Sequence, residues 1–256
     1  MDNIFDIAGK AILITGASSA GLGRHFALAL AEVGAVVVVA ARREEALREL
    51  VAEIEAKDGK AHAVKMDVTE MTSVRAGVAE AVRLTGGLDG LINNSGIVER
   101  APLLEQSEES WDRVLDTNLK GVWAVSCEVA RAMVARGTGG SIVNMASLLG
   151  FRQSPGNTAY AVSKAAVIQL TQQMAIEWIQ YGIRVNALAP GYFETDINRK
   201  FLRSEQGEKI VRRIPMGRVG HYHELDGPLL LLLSGAGSYM TGSIISVDGA
   251  HRLNPV

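Results

Sequence analysis

The sequence predicts an α/β fold: a single doubly wound domain in which helices cover both faces of a seven-stranded parallel sheet. Three observations predict it. Short β-branched or aliphatic runs alternate with longer helix-period segments along the whole 256 residues, the pattern of parallel strands joined by crossover helices. The first strand-like run ends at Thr15 and opens into a glycine-rich turn directly before a helical pattern. No linker, internal repeat or low-complexity segment beyond the leucine run 229–233 divides the chain, so residues 1–256 read as one domain.

The elements follow in order. Strands are expected at 10–15, 35–40, 61–66, 88–92, 140–145, 183–189 and 243–247, each short and rich in Val, Ile, Leu or Ala. Helices fill the intervals; the first repeats Leu22, Phe26, Ala29, Leu30 and Val33 at three and four spacing, and charged residues within 42–57 mark a solvated face. The segment 158–180 reads as one helix. The exception to strict alternation is 191–220, which carries Tyr192, Phe193, Ile197, Phe201 and Leu202 among many charges. Loops at the carboxyl ends of parallel strands surround the ligand crevice, so 191–220 is a candidate substrate lid.

Composition narrows the function. The chain is 48% hydrophobic with 27 Gly and 6 Pro, and its formal net charge is −2. A chain of this length buries roughly three-quarters of its unfolded surface. Without a basic patch or charge block, nucleic acid and anionic membrane are not expected as partners. The N-terminal MDNIFDIAGK lacks the apolar stretch of a signal peptide, and the longest aliphatic runs fall far short of a bilayer span. A cytoplasmic setting is expected. The single cysteine, Cys127, excludes an intrachain disulfide and lies in an apolar helix-period series with Val122, Ser126, Val129, Ala130 and Met133, so it reads as a packing residue. No metal ligand set is expected.

The turn Gly16-Ala17-Ser18-Ser19-Ala20-Gly21-Leu22-Gly23 sits where a Rossmann-type domain cradles a pyrophosphate. Glycines let the backbone approach the phosphates, and the helix that follows presents free N–H groups and the positive end of its dipole. The second strand ends Val39-Ala40-Ala41-Arg42-Arg43. A NAD-selective protein places an acid there for the ribose hydroxyl; here the acid is missing and Arg42 offers a guanidinium to a 2′-phosphate, so NADP(H) is preferred over NAD(H). Farther on, Tyr160 and Lys164 are one helical turn apart and share a face. A phenol titrates near 10, and a neighbouring ammonium favours its ionised form.

These motifs together resemble the short-chain dehydrogenase/reductase family over about residues 8–250. The glycine turn is similar to the family's TGxxxGxG signature with one extra residue, at Ala20. Asp67-Val68 resembles the adenine-side element, and Asn93-Asn94-Ser95-Gly96 resembles the NNAG motif with Ser95 in place of Ala. Ser147, thirteen residues before Tyr160, and the Tyr-xxx-Lys pair resemble the catalytic set, with Asn118 as its fourth member. Pro190-Gly191-Tyr192-Phe193-Glu194-Thr195 resembles the PGxxxT segment.

The resemblance implies an oxidoreductase that exchanges a hydride between NADP(H) and a carbonyl or secondary alcohol. Tyr160 is then the acid or base, Ser147 the donor to the substrate oxygen, Lys164 the ribose ligand that lowers the Tyr160 pKa, and Asn118 the holder of a relay water. Cofactor contacts are implied for Gly16, Ser18, Ser19, Gly21, Leu22, Gly23, Arg42, Asp67, Val68, Asn94, Ser95, Gly96, Tyr160, Lys164, Pro190, Gly191, Phe193 and Thr195. Substrate contacts are expected from Ser147, Leu149, Phe151, Gln153, Tyr160 and Tyr192, and the aromatic and aliphatic residues around 192–202 favour a partly apolar substrate, with a 3-oxoacyl thioester, a cyclic ketone and a small aliphatic ketone all admissible. For an acyl-carrier partner, Arg199, Lys200, Arg203, Arg212 and Arg213 offer a basic patch, or else solvated helix faces. A homotetramer is implied by resemblance. The alternatives are a dinucleotide sensor or scaffold without turnover, which the filled catalytic positions disfavour, and an epimerase or dehydratase, disfavoured by the missing substrate domain.

Overall fold

The computed structural model describes residues 3–194, 202 and 204–253. Seven parallel strands, β1 (Ala11–Thr15), β2 (Val36–Ala41), β3 (Lys60–Lys65), β4 (Gly90–Asn93), β5 (Gly140–Met145), β6 (Ile183–Pro190) and β7 (Ile244–Val247), form one sheet in the order β3-β2-β1-β4-β5-β6-β7. Chain order reverses between β1 and β4, which opens a crevice at the carboxyl edge. Ile12 and Ile14 face one side of the sheet and Leu13 the other, as the two-residue period of a strand requires.

Each face is covered by helices whose apolar stripes match it. On the first, α1 (Leu22–Glu32), α2 (Glu44–Glu55) and α8 (Asp226–Leu233) bury Phe26, Leu30, Leu47, Leu50, Leu229 and Leu232 against Ile12, Val37, Ile92 and Val143. On the second, α3 (Met71–Thr85), α5 (Gly121–Arg136) and α6 (Thr158–Trp178) bury Val78, Val125, Val129 and Met174 against Leu13, Val38, Leu91 and Ile142. The leucine run 229–233 thus closes the first face. A short α7 (Glu205–Val211) lies in the excursion after β6.

Differences from the expected boundaries have local causes. β4 begins two residues late because Asp89 is occupied with β1: its N–H donates to Ala11 C=O, and its carboxylate accepts from Ala11 N–H, both at 2.8 Å. The helix expected to reach residue 180 ends at Trp178, and the chain tightens into a 3-10 turn, Ile179–Tyr181, before Gly182 turns at φ +71°. A feature the sequence pattern does not show is the junction of α4 (Glu108–Leu115) with α5. The helix does not break there but widens into a π-helical turn, Asp116–Lys120, that contains Asn118. Such turns recur at functional sites because they displace a side chain from the regular ladder.

Candidate active site

The dinucleotide ledge is built at the crevice between β1 and β4. The Thr15 hydroxyl accepts from the N–H groups of both Asn94 and Ser95 at 3.1 Å, and the Asn94 amide donates to Thr15 C=O at 3.0 Å and Gly16 C=O at 3.2 Å. Glycine is required on both sides of this stitch. A Cβ on Gly16, where φ is +71°, would meet Ser95 Cα at 2.8 Å, and one on Gly23 would meet the Asn94 amide nitrogen at 2.5 Å. The extra residue of the turn is absorbed between them: Gly21 N–H donates to Ser19 C=O at 2.8 Å, closing a three-residue turn that leaves both anchors in place.

The residues fit a nucleotide phosphate. Gly21 precedes α1 without a side-chain cap, the first turn carries no acid, and a Cβ on Gly21 would find only Ser19 Oγ, at 3.8 Å. The N–H groups of that turn are therefore open to an anion. Arg42 extends 74% exposed from the end of β2, its guanidinium 3.9 Å from Asp67. Asp67 in turn accepts from Thr69 N–H and Oγ1 through its other oxygen, and Val68 packs against Gly121 of α5. Sequence reasoning missed Arg43, which donates to Ser18 C=O at 2.8 Å and to Ser18 Oγ at 3.4 Å. Ser18 is thus held by an arginine of the next strand's end.

Ser147, Tyr160 and Lys164 converge beyond the ledge. Ser147 follows β5 and caps the 3-10 turn Leu148–Gly150, its Oγ accepting from Leu149 N–H at 3.2 Å. Tyr160 and Lys164 face it from the first two turns of α6. Lys164 is 4% exposed and donates to Met145 C=O at 2.6 Å, with its ammonium 5.6 Å from the centre of the Tyr160 ring. Burial pushes this ammonium down to about 8. For Tyr160, burial raises the pKa and the hydrogen bond with Ser147 opposes the rise. In the protein alone the net direction for Tyr160 is upward. The ammonium is turned toward a carbonyl and is itself desolvated, so loss of water around the phenol dominates.

Asn118 is hydrogen-bonded through both ends of its amide. Its Oδ1 accepts from Ile97 N–H at 2.8 Å, and its amide donates to Ile97 C=O at 2.9 Å and to Ser163 Oγ at 3.1 Å; Ser163 then donates to Tyr160 C=O at 2.7 Å. The side chain braces the segment after β4 against α6. Behind it, Asn93 donates to Ser126 and Asn144, and Asn144 to Thr171, so every polar side chain in this buried layer is paired.

A cavity of about 420 Å³ joins these parts. Its walls include Leu22, Asn94 and Gly96 from the ledge, Ser147, Tyr160 and Lys164, and Pro190, Gly191, Tyr192 and Phe193 after β6. Leu149 and Tyr192 are among its walls. Phe151 and Gln153 are not among its walls: the 3-10 turn carries the chain outward, and the Phe151 ring lies under the Arg252 guanidinium at 5.0 Å. Val98, Arg100, Asn157 and Tyr222 line the cavity without having been expected; nothing in their spacing marks them. Thr195 lies outside the described residues, as do Ile197, Phe201, Arg199, Lys200 and Arg203. Of the rest of the basic patch, Arg212 approaches Glu208 at 3.7 Å on a solvated face. Cys127 is half-buried, and burial raises its thiol pKa, so it is no activated nucleophile.

With this geometry in place, comparison with known proteins identifies the family. The family model described as enoyl-(acyl carrier protein) reductase matches residues 16–250. Gluconate 5-dehydrogenase of Gluconobacter oxydans is 40% identical over 96% of each chain. This chain belongs to the short-chain dehydrogenase/reductase family. A second relative, the 3-oxoacyl-[acyl-carrier-protein] reductase of Thermotoga maritima, is 41% identical over 95% of this chain and 98% of its own. The crystal structure of a gluconate 5-dehydrogenase from Burkholderia cenocepacia in complex with NADP and tartrate superimposes with a TM-score of 0.93 at 37% identity, covering 99% of this chain and 98% of that one. Like these family members, the protein is an oxidoreductase of CH–OH and C=O groups. No helix among the described residues is long and apolar enough to cross a membrane.

Proposed function

We propose that this protein is a ketoreductase or secondary-alcohol dehydrogenase that uses NADP(H) in preference to NAD(H), with Tyr160 as the proton donor or acceptor. The observation that carries the reading is the convergence of Ser147, Tyr160 and Lys164 in one cavity that continues to Leu22, Asn94 and Gly96 of the ledge. Bound NADPH supplies the hydride. The protein's part is to hold and protonate the oxygen that receives the resulting charge.

Ser147 donates a hydrogen bond to the substrate oxygen and stabilises its developing charge. Tyr160 delivers the proton in reduction and removes it in oxidation. Lys164, buried beside the phenol, holds the ribose hydroxyls, and Asn118 positions the segment that carries Gly96. The N–H groups around Gly21, Leu22 and Gly23 take the pyrophosphate, Arg42 the 2′-phosphate and Asp67-Val68 the adenine. Pro190, Gly191 and Phe193 flank the nicotinamide, Thr195 takes its carboxamide, and 191–220 closes over substrate. Exposed Trp123 and Val134 on α5, with Ile176 and Val162 on α6, support assembly as a homotetramer, which size-exclusion chromatography with light scattering tests; the setting proposed is the cytoplasm.

The test is loss of NADPH absorbance with a panel of neutral ketones and keto acids, compared between wild type and Tyr160→Phe. Turnover by wild type and its loss by at least about 100-fold in the variant is expected for a general acid. Cofactor binding without turnover across the panel overturns the reading in favour of a sensor.

A further inference from the structure

Among the described residues, only two charged side chains, Arg100 and Lys164, line the catalytic cavity, and no carboxylate does. Lys164 is turned inward to the Met145 carbonyl. Arg100 stands exposed at the rim on the segment that follows β4. That segment is fixed to the approach of α6, because Ala101 N–H donates to Gly156 C=O at 3.1 Å, and α6 carries Tyr160. The acid next to Arg100 is already taken: both oxygens of Glu99 accept from Arg113, at 2.9 and 2.8 Å, and this pairing lowers the Glu99 carboxyl to about 2.

Among the described residues, the other arginines each have a partner. Arg24, Arg48, Arg113, Arg136 and Arg218 pair with carboxylates, Arg184 donates to main-chain carbonyls, and Arg252 stacks on Phe151. Arg100 has no such hydrogen bond, ion pair or ring contact with any described residue. A cation at the rim of a cavity without a counter-charge is a site for an anion brought by the ligand, and a guanidinium fork matches a carboxylate.

We infer that Arg100 binds a carboxylate of the substrate, so that the substrate class is a keto acid and its hydroxy acid, not a neutral ketone or polyol. The inference rests on the reading that this cavity holds the reacting carbonyl. With the carbonyl oxygen at Ser147 and Tyr160, the carboxylate lies at the end of the molecule that faces the rim, and Val98, Leu149 and Tyr192 line the space between. Arg100 thereby sets specificity and takes no part in proton transfer.

The test uses gluconate and sorbitol, six-carbon chains that differ in carrying a carboxylate or a hydroxymethyl group at C1. Each is titrated calorimetrically into wild type, Arg100→Gln and Arg100→Lys, all saturated with NADP⁺. Gluconate is expected to bind wild type at least about tenfold tighter than sorbitol, the size of one charge-assisted hydrogen bond. Arg100→Gln should erase that preference, and Arg100→Lys should retain part of it. Equal affinities, no binding of gluconate, or an unchanged preference in Arg100→Gln would overturn the inference. Failure of the underlying reading is distinguishable, since it shows as absent NADPH oxidation by wild type across neutral ketones and anionic ones alike.

Discussion

Arg43 donates to the main-chain oxygen of Ser18 at 2.8 Å, whereas its neighbour Arg42 stands 74% exposed with only Asp67 near it, at 3.9 Å. Two adjacent arginines thus have different tasks. One holds the glycine turn in shape; the other, only loosely paired with Asp67, is exposed to a ligand.

Cofactor titrations separate them. Arg42→Ala is expected to weaken NADPH binding by about 10- to 100-fold, the worth of a charge-assisted hydrogen bond to phosphate, and to leave NADH nearly unchanged. Arg43→Ala should weaken both cofactors by a similar factor, because it loosens the turn that both use. Protein fluorescence titrations with NADPH and NADH read this directly. An Arg42→Ala variant that loses both cofactors equally would show that Arg42 does not select the 2′-phosphate.

The buried phenol of Tyr160 has a pKa above its ordinary value in the protein alone, through desolvation that its hydrogen bond with Ser147 only partly offsets. The acid is therefore protonated throughout the neutral range. For reduction, kcat/KM should stay flat from pH 6 to 8 and fall only in the alkaline range. For oxidation the phenolate is required, so kcat/KM should rise with pH by up to about tenfold per unit below the controlling pKa. Initial rates in both directions test it; an oxidation rate that falls between pH 6 and 8 contradicts Tyr160 as the base.

Much of this arrangement is legible in the sequence because its signals are periodic. The strand 140–145 is found as Gly140–Met145, since its aliphatic core is bounded by glycines and followed by the small residues that cap the next turn. Tyr160 and Lys164 are legible because a helix makes neighbours of residues four apart. Other features leave no such mark. Asp116-Thr117-Asn118-Leu119-Lys120 has the composition of ordinary helix, yet adopts a π turn in which Asn118 bonds to Ile97 of the segment after β4. Phe151 and Gln153 are close to Ser147 in sequence, but the 3-10 turn 148–150 directs the chain away from the cavity. Arg42 and Arg43 cannot be told apart by type, only by which one reaches Ser18. Contacts between distant segments decide these cases.

Lys164 carries a stability cost with a defined pH dependence. Its ammonium titrates near 8 in the folded protein, against an ordinary value of 10.5. Between those pH values the unfolded chain binds a proton that the folded protein does not, so stability rises with pH; the cost is fully present below 8. Against Lys164→Met, the wild type should therefore gain about 2 to 3 kcal/mol as pH goes from 8 to 10, at about 1.4 kcal/mol per pH unit. Urea unfolding of both proteins across that range measures the difference. A gap that does not change with pH would mean that the ammonium is not desolvated.

Asn118 acts on the site through its brace, and that makes a prediction different from a role in proton transfer. Removing its side chain leaves the N–H and C=O of Ile97 without their partner and frees Ser163, whose hydroxyl also bonds Tyr160 C=O. Loss of partners for buried groups costs about 2 to 3 kcal/mol, or roughly 5 to 10 °C in a chain of this size. Asn118→Ala should also let the segment carrying Gly96 move relative to Lys164, whose ammonium lies 3.7 Å from where a Cβ on Gly96 would be. NADPH affinity and kcat then fall together while the pH dependence of reduction keeps its shape, because the proposed proton donor, Tyr160, is untouched. Asn118→Asp keeps an acceptor for Ile97 N–H but cannot donate to Ile97 C=O or Ser163, so it should recover part of the stability. Thermal unfolding, cofactor titration and the pH profile of both variants decide the matter. If Asn118→Ala keeps its thermal stability and NADPH affinity but its pH profile shifts, Asn118 belongs to the proton path and is not a brace.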